Sequence, residues 1–118
     1  MASRTRTETV LLWIAQIAAA GMFLLAGTAK LRGAAPMVQM FAAIGVGQWF
    51  RVVTGGIEVV GAGLLLVPSL AAYGALLLVP TMAGAIITHL AIIGGSPAIP
   101  AALLVTTALI GWRRVATR

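Results

Sequence analysis

Lys30, Glu58 and His89 are isolated ionisable side chains at the edges of long apolar runs. A carboxylate, an imidazole and an ammonium brought together can exchange protons and hold an anionic or carbonyl oxygen. The same three groups can instead pair with one another and fix the rotation and register of the helices that carry them. Both readings stay open on the residues alone. Glu58 has Gly55 and Gly61 three residues to either side, with Thr54 and Ala62 at neighbouring helical offsets. A second helix can approach closely along such a strip. Lys30 shares its face with Phe23, Ala26 and Gly27, and His89 shares its face with Met82, Ala85 and Ile86. Arg51 is a second candidate cation for Glu58, so the expected ligand-binding set is Lys30, Glu58, His89 and Arg51, with no catalytic role assigned. One histidine and one nearby glutamate fall short of the three protein ligands of a catalytic zinc site, and a lone histidine does not specify haem. No metal and no cofactor held within the chain is therefore expected. The chain has no cysteine, which excludes thiolate nucleophiles, persulfide carriers and cysteine-held clusters from it.

The runs that position these groups are suited to lipid. Hydrophobic residues make up 61% of the 118 residues and charged ones 8%, and the mean hydropathy is +1.09. Ordinary globular domains are about 25% charged. With no water in the hydrocarbon layer, backbone donors and acceptors must pair within the chain, which leaves helices or a closed barrel. No alternating pattern is present, so the reading is all-α: an integral membrane four-helix transmembrane bundle forming a single domain over residues 1–118. Spans are expected at about 10–30, 52–67, 71–93 and 99–112, with an interfacial segment at about 36–48 opened by Pro36. The Ala18-Ala19-Ala20 stretch resembles a signal-peptide cleavage region, but the apolar run continues past it, so a span is the reading kept. Pro80 should kink the third span. Met37, Met40, Phe41 and Ile44 recur at helical spacing in the interfacial segment and read as lipid contacts.

Lys30 closes the first run, Glu58 opens the second and His89 closes the third. Consecutive spans therefore bring all three to one membrane face. The net charge of +6 comes from bases at the chain ends and beside the first connection, without the aromatic interleaving of a nucleic-acid surface. No nucleic-acid partner is expected; the partner is the lipid bilayer. Arg4, Arg6, Arg113, Arg114 and Arg118 on one side outnumber Lys30, Arg32 and Arg51 on the other. This bias places both termini in the cytoplasm of a multi-pass inner (plasma) membrane protein.

The motifs Phe23-x-x-Ala26-Gly27-x-x-Lys30-Leu31, Gly55-x-x-Glu58-x-x-Gly61 and Ala85-x-x-x-His89, in this order and on one face, resemble the DoxX and DoxX-like family of small four-helix bacterial membrane proteins. The likeness covers most of the chain. It implies association with membrane oxidoreductase systems, such as thiosulfate:quinone oxidoreductase or a mycobacterial assembly with superoxide dismutase and a sulfurtransferase. On that resemblance the chain is a membrane component of a redox or detoxification system. It would bind a small lipophilic ligand such as quinone at the triad and work with oxidoreductase partner subunits. The alternative is a non-catalytic anchor or assembly subunit whose triad only holds the bundle together. A small transporter is disfavoured, because no inverted repeat is visible.

Overall fold

The computed structural model describes residues 4–116. Helix α1 spans Arg6–Leu31, α2 Ala35–Ile44, α3 Gln48–Leu65, α4 Ala71–Thr88 and α5 Ala98–Ala116. A single tight turn at Pro68–Leu70 leads into α4, and a wider π turn, His89–Ile93, continues it. The described residues contain no strand. The protein is an all-α membrane helical bundle. Three stretches, Arg6–Leu31, Pro68–Ile93 and Ala98–Ala116, are long and apolar enough to cross a membrane. Helix α3 is less apolar because it carries Gln48, Arg51, Thr54 and Glu58, yet it lies in the same layer as the other long helices.

Paired contacts define the topology. Lys30 near the end of α1 meets Glu58 in α3, while Gln16, towards the middle of α1, donates to the carbonyl of Leu65 at the end of α3 at 2.6 Å. The two helices therefore run antiparallel, with α3 lying along α1 from Gln16 to its end. Gly61 of α3 receives Leu78 of α4, and Gly74 of α4 lies against Leu65. Gly111 of α5 packs on Ala75 of α4, and Arg113 pairs with Glu8 to return α5 to the start of α1. The bundle is up-down-up-down with α2 as a short cap at one end. Its longest dimension is 46 Å, close to the roughly 40–45 Å of a bilayer with its headgroups.

Alanines, larger aliphatic residues and one aromatic fill the interior: Ala19, Ala20 and Phe23 of α1, Ala62 and Leu65 of α3, Leu78 and Met82 of α4, and Ile110 of α5. Large apolar side chains point outward, among them Leu11, Ile14, Ile17, Leu25, Leu76, Ile87 and Leu90. In water such a surface would aggregate, whereas in hydrocarbon it is solvated.

Several boundaries differ from those read in the sequence. Helix α1 begins at Arg6 because Thr5 Oγ1 accepts the N–H of Glu8 at 3.0 Å, satisfying one of the free donors of the first turn. Helix α3 begins at Gln48, which brings Trp49, Phe50 and Arg51 into its first turn. The side chain of Gln48 donates back to the carbonyl of Val38 at 3.0 Å and binds the new helix to the cap. The expected 36–48 segment is thus α2 plus a short break. Helix α4 continues through Pro80, and α5 runs past Trp112 to Ala116. Arg118 lies outside the described residues.

Candidate ligand-binding site

The close crossing of α1 and α3 creates the site. A Cβ placed on Gly27 would lie 2.9 Å from the carbonyl oxygen of Gly55, and one on Gly55 would lie 2.9 Å from that of Gly27. Only glycine at both positions lets the backbones meet there. One turn further along, Lys30 Nζ lies 2.7 Å from Glu58 Oε1. Glu58 is 1% exposed. The ammonium, on a half-buried side chain, supplies the counter-charge that a carboxylate removed from water requires.

His89 reaches the same region through the end of α4. The π turn adds a residue to the helical repeat and ends at Gly94, where φ is +72°, a backbone conformation that a residue with a Cβ rarely adopts. This reversal returns the Gly94 carbonyl to within 2.8 Å of His89 Nδ1. A carbonyl can only accept, so Nδ1 carries the proton and Nε2 of the neutral ring is left as an acceptor.

Lys30, Glu58 and His89 line one cavity of about 470 Å³ together with mostly apolar side chains of α2, α3, α4 and α5. That volume is within the ~300–1,000 Å³ range of small-molecule sites. Met40, Phe41 and Ile44 of α2 form part of its wall, joined by Phe50 of α3. Phe41 and Phe50 pack edge to face with centroids 5.7 Å apart, which fixes the cap to α3. The apolar stripe read as lipid contact in the sequence therefore faces the cavity in part. Apolar side chains of the same types suit either environment, and only the docking of α2 on α3 and the π turn decides between them. Thr54, Thr81 and Thr88 also line the cavity. Each hydroxyl donates to a carbonyl one turn earlier in its own helix, Phe50, Leu77 and Gly84 respectively. Their protons are committed, so they offer acceptor lone pairs only.

Arg51 is at this end of the bundle but does not form part of the cavity wall. Its Nη1 hydrogen-bonds the carbonyl of Lys30, and its Nε donates to Gln48 Oε1 at 2.7 Å. It closes the carbonyl end of α1 and holds the backbone of Lys30 while Glu58 holds the ammonium. The structure thus brings three of the four candidates to one cavity and makes the fourth a support.

A second polar cluster, at the opposite end, was not singled out by sequence reasoning. Gln16 is buried and accepts from Arg114 Nε at 2.7 Å, and the guanidinium lies over Trp13, 5.4 Å from the ring centroid. The available signal was Gln16 as one of two polar residues in the first run, facing the basic end of the last.

A family model described as the DoxX-like family matches residues 14–111. No curated protein and no solved structure matches the chain.

Proposed function

Because the chain belongs to the DoxX-like family, we propose that it is a membrane component of a redox or detoxification system that binds a small lipophilic molecule of the quinone class at Lys30, Glu58 and His89. The observation that carries this reading is the single cavity, apolar over most of its wall, onto which the three ionisable groups converge. Lys30 retains ammonium protons beyond the contact with Glu58 and can donate to a carbonyl oxygen. Nε2 of His89 can accept from a hydroxyl. A ring bearing an oxygen that alternates between carbonyl and hydroxyl suits both groups, and a hydrophobic tail suits the remaining wall. When bound, a quinone would supply two-electron, two-proton chemistry. The residues of the chain orient its oxygens, exclude water and accept the hydroxyl's hydrogen bond at His89 Nε2.

Native mass spectrometry of the protein extracted with its own lipids tests this reading, followed by titration with a short-chain ubiquinone. A retained quinone adduct is expected. His89→Ala should weaken ubiquinone binding about tenfold, roughly 1.4 kcal/mol, without moving the melting temperature, because among the described residues the half-buried imidazole bonds only to the carbonyl of Gly94, at the end of its own turn. Equal binding by wild type and His89→Ala would remove His89 from the site.

A second reading is favoured by the direct Lys30–Glu58 contact at 2.7 Å: an anchor or assembly subunit in which the pair is a clasp between α1 and α3. Stability and ligand retention separate the two readings.

The orientation we propose places both termini in the cytoplasm of a bacterial inner membrane. Lys30 is held by Glu58 and Arg51 by the end of α1, so Arg32 is the free loop charge on the cavity side among the described residues. Arg4 and Arg6 stand at the other end without an ion-pair partner among those residues. The positive-inside bias follows the terminal side. A periplasm-only reporter should be inactive when fused after Arg118 and active when inserted after Arg32; the reverse pattern would invert the assignment.

A further inference from the structure

At the end of the bundle remote from His89, Arg114 presents an unsolved charge. It is 6% exposed, and its Nε is spent on Gln16, a neutral partner. Its Nη2 is buried and has no hydrogen-bond partner among the described residues. A guanidinium cannot lose its proton to escape this cost, and leaving a buried donor unsatisfied is expensive. Glu8, the acid at this end, is engaged by Arg113. A cavity of about 260 Å³ adjoins Arg114, and its other lining residues are Arg4, Pro68 and Ser69. Two guanidinium side chains and a hydroxyl residue therefore share one small space, with no carboxylate on its wall among the described residues.

We infer that this cavity is an anion site that takes a phosphate group, carried by the headgroup of an anionic phospholipid or free in solution. At about 30 Å³ per water, the space holds several water-sized groups, enough for a tetrahedral phosphate. Guanidinium groups bind phosphate oxygens through short charge-assisted hydrogen bonds, and Ser69 Oγ can donate a further one. The position matches the headgroup layer: Trp112, two residues before Arg114 on α5, is exposed, and the Arg113 guanidinium lies 5.1 Å from its ring centroid. Tryptophan gathers at that level. Basic pockets between helix ends are where anionic headgroups dock.

The test uses the full chain, delipidated in detergent, with native mass spectrometry as the readout. Phosphatidylglycerol is expected to be retained at least tenfold more tightly than phosphatidylcholine, whose choline brings a cation towards the arginines. Arg114→Gln can unfold the bundle by disturbing Gln16, so Arg4→Gln and Ser69→Ala carry the argument. Arg4→Gln should lose most of the preference at an unchanged melting temperature, and Ser69→Ala should weaken binding several-fold. Arg32→Gln, at the opposite end, should change nothing. Inorganic phosphate that stabilises the protein and displaces the lipid confirms the shared chemistry, and phosphate binding without a lipid adduct assigns the site to the soluble ion. Equal retention of both lipids, a preference unaffected by Arg4→Gln, or binding of neither lipid nor phosphate overturns the proposal.

Discussion

Lys30→Met is expected to destabilise the detergent-solubilised protein by about 3–5 kcal/mol, seen as a fall of roughly 10 °C or more in melting temperature. The substitution preserves the aliphatic stem but leaves Glu58, at 1% exposure, without its counter-ion. Arg51 cannot replace the lysine, since its guanidinium is committed to the carbonyl of Lys30 and the side chain of Gln48. Glu58→Gln should cost less. It removes the carboxylate and retains a group that can accept from the ammonium, so neither partner is left without a hydrogen bond. Combining the two substitutions should recover most of the loss, because an absent pair is better tolerated than a stranded charge. If Lys30→Met melts like the wild type, the contact is not a clasp. If Glu58→Gln and His89→Ala both fold and keep the bound lipophile, the ligand-site reading fails while the clasp reading stands.

Gly27→Ala and Gly55→Ala should each cost about 1–3 kcal/mol through overpacking, with both variants eluting earlier or melting lower than the wild type. The new methyl would lie 2.9 Å from the facing backbone oxygen in either case, and 2.9 Å from Val59 Cγ2 or Lys30 Cβ. Backbone against backbone cannot yield as a flexible side-chain tip does. The helices must separate, which pulls Lys30 away from Glu58, so ligand binding should fall with stability. Gly56→Ala and Gly63→Ala serve as controls because nothing lies within 4 Å of the added Cβ. There the gain in helix propensity, up to about 1 kcal/mol, should leave the melting temperature unchanged or raise it. Equal effects at all four positions would show that α1 and α3 do not cross closely.

Much of the bundle was legible because lipid imposes few solutions on a chain this apolar. The uninterrupted runs gave the long helices, and chain parity alone brought Lys30, Glu58 and His89 to one end. The glycine strip around Glu58 marked the approach of a neighbour but not its identity; Gly27 of α1 is the partner. Other features depended on three-dimensional pairing. Gln16 and Arg114 are 98 residues apart, and neither side chain reveals the other until α5 is laid against α1. The role of Arg51 depended on Gly47 starting α3 early enough to aim the guanidinium at the end of α1. The π turn at His89 was hidden because nothing in the apolar run that carries it distinguishes it from an α-helix, and the reversal at Gly94 that ends it lies after that run. The Met40–Phe41–Ile44 stripe had two acceptable environments, and its residue types do not distinguish them.

The interior between the two polar ends also bears on energy coupling. From the Lys30–Glu58 pair to the Gln16–Arg114 pair, the bundle axis is filled by Ala19, Ala20, Phe23, Ala62, Leu65 and Leu78, all buried. Thr107 is buried as well, but its hydroxyl proton is given to the carbonyl of Leu103. No hydrogen-bonded relay joins the two ends among the described residues. On the proposed function, a proton taken up beside His89 would find no side-chain path through the described residues and would return to the face it came from, so the site would do no work against the membrane potential. Such chemistry would be confined to one face of the bundle and electrically silent with respect to the voltage across the bilayer.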